Sequence, residues 1–314
     1  LRYTVDVIVV LAHQGLPGPM QTDAENDPDV QRPLDEDLEF CARVPGIDVY
    51  IAAHSHRGLE QPIVHPDTKT LVTQTYGYGT RLGRIRLGID ERRVTRHEIE
   101  LIKVWSDDLP AHDGVARRLA RYRSAVADQI GPPIGRASER ITRKYRRESA
   151  LGSLCADAMR QRARADVALT NAGGLRADLP EGPLDRGHVL DAFPFLNDLV
   201  TVELPGGALK RVLEHGCSLE AGMVQVSGLR ARYDLARAVG SRLLDVTIDG
   251  QPVDDARTYR VATNSFLAEG GDGYAGFRDG RIAARDAVLS DVFADYISAM
   301  KTISAPAAGR MVAV

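Results

Sequence analysis

The sequence predicts a mixed α/β and α+β protein built as two domains, and three observations carry that reading. The chain has 314 residues, 44% hydrophobic and 26% charged, an ordinary globular composition long enough for two cores. Short β-branched runs alternate with segments of helical period in both halves. A helix-periodic stretch ending at Gly131-Pro132-Pro133 separates a first domain (1–106) from a second (134–314), leaving 107–133 as a linker helix. A net charge of −3, from 40 Lys+Arg against 43 Asp+Glu, gives no basic footprint for a nucleic acid polymer. No stretch reaches the roughly 18 consecutive apolar residues of a membrane span. The three cysteines, Cys41, Cys155 and Cys217, are too scattered for a disulfide framework or a zinc site, so any cofactor must rest on His, Asp, Asn and Glu.

The elements follow in order. Val5 to Leu11 is a continuous apolar run that predicts a buried strand of a parallel or mixed sheet, ending at His13-Gln14-Gly15. Because the chain opens at Leu1 only a few residues before that run, with no initiator Met, it is expected to be a fragment or processed product. Residues 16 to 37 are acidic and proline-bearing. A short amphipathic helix is expected over Leu34 to Val44, then a turn at Pro45-Gly46 and a second buried strand, Ile47 to Ala52, running into Ala53-His54-Ser55-His56. Leu71 to Gln74, Gly83 to Ile89 and Val94 to Lys103 read as further strands at the end of the same layer. Val115, Leu119, Tyr122, Val126 and Ile130 define an amphipathic helix whose other face carries Arg117, Arg118, Arg121 and Arg123, a solvated face. In the second domain, helices are expected at Leu151 to Met159, at Leu209 to Glu214 closed by Gly216, and at Val288 to Ile297. Strands are expected at Val167 to Thr170, Leu199 to Leu204, Leu243 to Ile248 and Tyr259 to Thr263.

His13, His54 and His56 each follow a strand, where α/β sheets place ligand groups. In extended chain, His54 and His56 would lie on one side about 6.6 Å apart, and such imidazoles suit a pair of metal ions roughly 3.5 to 4 Å apart. Two ions also need a bridging carboxylate, and no Asp is an obvious bridge. His65, His97, His112, His188 and His215 are assigned no role. Thr170-Asn171-Ala172-Gly173-Gly174-Leu175-Arg176 offers an amide, close backbone approach and a forked cation after a strand; it suits an anion, or is a plain glycine turn with a surface arginine. Phe195 in Phe193-Pro194-Phe195-Leu196-Asn197 and Phe266, followed by Gly270-Gly271-Asp272-Gly273, are either a stacking clamp for a base or core. P-loop, zincin and serine-hydrolase motifs are absent, and Gly77 to Gly83 misses the dinucleotide spacing by one residue.

Six ordered segments resemble the 5′-nucleotidases, UDP-sugar hydrolases and 2′,3′-cyclic nucleotide phosphodiesterases of the calcineurin-like metallophosphoesterases. They are Asp6 to Gly15 with Gly46 to His56, Glu148 to Ala158, Thr170 to Arg176 with Phe193 to Asn197, and Asn264 to Tyr274. The resemblance implies part of an α/β/β/α metallophosphoesterase sandwich followed by a 5′-nucleotidase C-terminal α+β domain. It makes His13 and His54 ligands of one divalent ion (Zn, Mn or Co) and His56 a ligand of a second. Asn171, Gly174 and Arg176 would hold phosphate or ribose, Phe195 and Phe266 would sandwich the base, and Asp272 would bond ribose or base. A further phosphate-binding arginine falls where Arg143, Lys144, Arg146 and Arg147 crowd; Arg143 is favoured, with Tyr145 in the usual arginine place. The family's Asp-x-His and Gly-Asn-His motifs are not in these residues, so the catalytic residues are expected upstream. The expected activity is hydrolysis of nucleotide phosphoesters. The alternatives are cyclic-nucleotide or nucleotide-sugar phosphodiesterase, and a non-catalytic nucleotide-binding remnant. The expected location is periplasmic or extracellular.

Overall fold

A computed structural model describes residues 4–13, 34–56, 58–105 and 109–314. The chain divides into two compact units, Leu1–Ala116 and Arg117–Val314. Most of the acidic 16–37 segment lies outside the described residues.

The first unit begins with β1 (Val9–Leu11), α1 (Asp35–Arg43), β2 (Val49–Ile51), β3 (Ile63–Val64) and β4 (Leu71–Thr73). They form a four-stranded sheet in the order β1-β2-β4-β3, with β1, β2 and β4 parallel. Its small core joins Cys41 of α1 to Tyr50, Ala52 and Val72. The parallel pairing of the first strand matches expectation, but its burial does not: Val9 is 49% and Leu11 78% exposed. The strands β5 (Arg81–Asp90) and β6 (Arg93–Lys103) do not extend that sheet; they form a separate antiparallel hairpin. The helix α2 (Asp113–Ile130) follows, closed at Gly131 in the left-handed region before the two prolines that cannot continue it.

The second unit continues with β7 (Gly135–Ala137), α3 (Ala150–Ala163), β8 (Val167–Asn171), β9 (Gly182–Leu184), α4 (Arg186–Ala192), β10 (Asp198–Pro205) and α5 (Gly206–Ser218). After these come β11 (Val224–Ser227), β12 (Arg230–Tyr233), β13 (Leu243–Ile248), β14 (Gln251–Pro252), β15 (Thr258–Asn264), α6 (Ser265–Ala268), β16 (Arg281–Val288), α7 (Leu289–Met300), β17 (Thr302–Ile303) and β18 (Met311–Ala313). The central sheet runs β11-β8-β15-β10-β16, with β8 and β15 parallel and the other neighbours antiparallel. Alternation along its strands feeds two cores. Val167, Leu169, Val200, Val202 and Val261 join Leu209, Val212 and Leu213 of α5 on one face. Ala168, Leu199 and Ala262 meet Leu151, Cys155 and Ala156 of α3 and Phe293 and Ile297 of α7 on the other.

The alanines at Ala168 and Ala262 leave room for a helix to lie close to the strands, which is why α3 packs across β8, β11 and β15. Gly216 does not close α5 as its type suggests. It lies inside the helix, where a Cβ would come within 2.5 Å of Val224, so glycine is there for close packing, and Leu219 in the left-handed region makes the cap.

Candidate nucleotide and metal sites

Parallel strands bring their carboxyl ends to one edge of a sheet, the place where open α/β sheets hold ligands. In the second unit β8 ends at Asn171 and its parallel neighbour β15 ends at Asn264. Because Leu199 pairs with Asn264 across the antiparallel β15–β10 ladder, the loop carrying Phe195 and Asn197 arrives at that same edge. Three segments far apart in sequence are thus assembled by register alone.

The side chains there form a connected network. Asn264 Nδ2 donates to Asn171 Oδ1 at 3.2 Å and to Thr170 Oγ1 at 3.3 Å, while Asn171 Nδ2 donates to Asp272 Oδ2 at 2.8 Å. Asn171 and Asn264 are both buried, so each amide's orientation is fixed by its neighbour and the carboxylate of Asp272 is held toward the strand ends. Asn264 also caps α6, accepting from the Leu267 N–H at 2.9 Å. Gly174 lies against Asn171, where a Cβ would stand 3.1 Å from Oδ1. The Arg176 guanidinium sits over the Phe195 ring at 5.4 Å and donates to the Gly173 carbonyl at 3.3 Å. Phe266 packs on Gly271, whose missing side chain makes room for the ring. Phe195 and Phe266 are 42% and 40% exposed, so neither belongs to the core. A small recess of about 10 Å³, room for about one water, lies between Thr170, Gly174, Phe195, Asn197 and Asn264.

Arg143 is half-buried and its main-chain N–H donates to Asp178 at 2.9 Å. The residue beside the glycine loop is Tyr145, whose ring would meet a Cβ on Gly173 at 3.9 Å and one on Gly222 at 2.9 Å. Tyr145 stands where the resemblance implies an arginine, and Gln225, unmarked by any local pattern, sets the start of α3. Its Oε1 accepts from the Ser149 N–H at 2.8 Å and hydroxyl at 3.0 Å, and its Nε2 donates to the Arg147 carbonyl at 3.0 Å. A glutamine inside a strand carries no local signal for that task.

In the first unit, His13 follows β1 and His54 follows β2, and the parallel pairing of those strands brings the two rings to a centroid distance of 4.8 Å. His54 Nδ1 and His13 Nε2 are 3.0 Å apart. The expected extended geometry of His54 and His56 is not found: both have left-handed backbones, φ 68° and 56°, so the chain curls between them. The curl is pinned by buried Ser55, whose hydroxyl accepts from Gln74 Nε2 at 2.8 Å. His56 packs on Gly77 and stands edge-on to Tyr78 at 5.1 Å. Among the described residues, no group of three or more His, Cys, Asp or Glu converges on one metal position. Among them, too, no helix is long and apolar enough to cross a membrane.

Comparison with known proteins agrees with this architecture. Residues 132–279 match the family model of the 5′-nucleotidase C-terminal domain. A trifunctional nucleotide phosphoesterase protein, YfkN, of Bacillus subtilis (strain 168) is 32% identical over 263 residues, 77% of this chain and 18% of that protein. A 5′-nucleotidase of Diplobatis ommata is 25% identical over 357 residues, 99% of this chain and 58% of that protein. Among solved structures, a 5′-nucleotidase precursor from Thermus thermophilus superposes with a TM-score of 0.80 at 30% identity, over 89% of this chain and 62% of its own. The chain therefore spans less than two thirds of each of these relatives, and shares with the Thermus protein a mixed α/β fold. Over residues 132–279 the chain is similar to the 5′-nucleotidase C-terminal domain.

Proposed function

We propose that the protein hydrolyses phosphoesters of nucleotides in the manner of a 5′-nucleotidase. In this reading residues 134–314 hold the nucleotide, residues 107–133 link, and residues 1–106 lend histidines to a centre of two divalent ions. The observation that carries it is the Asn264–Asn171–Asp272 network at the carboxyl ends of paired parallel strands, flanked by two exposed phenylalanine rings and a guanidinium. Phe195 and Phe266 stack on the base. Asp272 accepts from ribose or base, Asn171 and the bare backbone at Gly174 approach the sugar or phosphate, and Arg176, with Arg143 as a second cation, offsets the phosphate charge.

The two histidines share a hydrogen bond, and a metal held between them would take the place of its proton. Two nitrogens bound to one ion at about 2.0–2.1 Å stand about 2.9–3.4 Å apart at coordination angles near 90–110°, and His13 Nε2 and His54 Nδ1 are 3.0 Å apart. His56 would serve the second ion. Imidazole with oxygen ligands suits Zn, Mn or Co, and such ions would supply positive charge to the phosphoryl group during hydrolysis. Relatives named 5′-nucleotidase and nucleotide phosphoesterase support the reaction class. A neighbour described as a precursor supports a periplasmic or extracellular location.

The test is hydrolysis of AMP to adenosine and phosphate, of UDP-glucose to UMP and glucose 1-phosphate, and of 2′,3′-cyclic AMP to 3′-AMP by the intact gene product, with the products separated by chromatography. Chelation or His54→Ala is expected to abolish turnover while adenosine still binds, and Asn171→Ala to raise KM. Turnover that survives both chelation and His54→Ala would overturn the metal-dependent reading, and the preferred substrate sorts nucleotidase from phosphodiesterase.

A further inference from the structure

His215, in the last turn of α5, touches the candidate site from behind. Its Nε2 lies 2.7 Å from the main-chain oxygen of Asp272. A carbonyl oxygen only accepts, so Nε2 carries the proton and donates. The imidazole is held edge-on to buried Tyr274 at 4.7 Å and 86°. The backbone passes so near that a Cβ on Gly273 would lie 2.8 Å from His215 Cε1.

The segment it touches is unusual in conformation. Gly270, Asp272 and Gly273 are all left-handed, at φ 91°, 53° and 80°. Of these only Asp272 carries a side chain, and a left-handed L-residue is disfavoured unless something outside it holds the backbone there. Asp272 is held on both sides: its carboxylate accepts from Asn171, and its carbonyl accepts from His215. With glycine at 270, 271 and 273, the loop has little stiffness of its own.

We infer that His215 is a positioning residue for nucleotide recognition: its hydrogen bond to the Asp272 carbonyl holds that backbone left-handed, so that the carboxylate is presented beside Asn171 before ligand arrives. The inference rests on the proposal that Asp272 faces the nucleotide. Without the imidazole the glycine-rich segment samples other conformations, and ordering it becomes part of the cost of binding. Affinity therefore falls, and because the imidazole also packs on Tyr274 of the core, stability is followed beside it.

Calorimetric titration of adenosine into the 314-residue chain tests this, with thermal unfolding measured alongside. His215→Ala is expected to weaken adenosine about 10-fold, and His215→Gln, whose amide can donate to the same carbonyl, to recover to within about 3-fold of the parent. Asp272→Ala should also weaken binding about 10-fold, and adding His215→Ala to it should cost less than about 2-fold more, since no carboxylate remains to be placed. Should His215→Ala lower the unfolding midpoint, the Gln variant decides: restored affinity supports positioning and unrestored affinity overturns it. Parental affinity in His215→Ala, or fully additive losses in the double variant, overturns the inference alone. Parental affinity in Asp272→Ala overturns the recognition reading and the inference with it.

Discussion

Phe195 and Phe266 illustrate how little of a side chain's use is fixed by its neighbours in sequence. Phe193, two residues from Phe195, is buried and tilted against Phe293 at 4.8 Å, whereas Phe195 stays exposed under the Arg176 guanidinium. Base stacking on an aromatic ring contributes about 1–3 kcal/mol, so Phe195→Ala or Phe266→Ala should weaken adenosine about 5- to 150-fold by calorimetry. Unchanged affinity in both would remove the clamp. Asn171 and Arg176 stood out as candidates because an amide and a guanidinium follow a strand beside paired glycines, and Asp272 because it is set among three glycines. His215 and Tyr145 were not, because their part is set by contacts across more than 25 residues that no local pattern encodes. The cysteines give a second residue-scale expectation. Burial pushes the Cys155 and Cys217 thiols up to about 12, and raises Cys41 as well. At pH 8 the thiolates are scarce, so a disulfide reagent such as DTNB should react only after denaturant is added; rapid labelling of the native chain would contradict the burial.

Among the elements, the long periodic segments were readable, as were the three-residue strands β1, β2 and β4 inside apolar runs, whereas several short strands of the second unit were not. Helices α2, α3 and α7 and strands β10, β13 and β15 lie where their apolar spacing puts them, but β7, β9, β17 and β18 have two or three residues each and exist only through their partners. β18 shows how such a strand is held. Glu148 Oε2 accepts the N–H groups of Gly309, Arg310 and Met311 at 2.9, 2.9 and 3.1 Å, and Arg310 makes a two-pronged pair with Asp157 at 2.8 Å on each side. Glu148→Ala leaves those donors without their acceptor and should lower unfolding free energy by about 1–3 kcal/mol in denaturant titration, with an equal midpoint contradicting the clasp. Acid should loosen a different tie. Hydrogen bonds from the Arg162 side chain and the Ala287 N–H hold the Asp286 carboxyl at about 2, below its ordinary value of 3.8. A depressed folded value stabilises above the unfolded one, so this contribution is present above pH 4 and is lost as pH falls toward 2; Arg162→Ala should flatten that part of the pH–stability curve.

At the scale of the whole molecule, the second unit extends past the stretch matched to the 5′-nucleotidase C-terminal domain. The match ends at residue 279, yet Val292, Phe293 and Ile297 of α7 fill the core against α3, β17 pairs with β7, and β18 pairs with β12. A protein of residues 134–314 should unfold cooperatively, whereas residues 132–279 alone should not, as judged by circular dichroism melts. The central claim is that this unit recognises a nucleoside by itself, since Asn171, Arg176, Phe195, Phe266 and Asp272 all lie within it. The most direct measurement is calorimetric titration of adenosine into residues 134–314 in the presence of a chelator, beside the Phe266→Ala and Asp272→Ala variants. Saturable one-to-one binding that weakens at least about 5-fold in each variant is the predicted result. No binding by a folded protein, or equal binding by all three, would contradict the account.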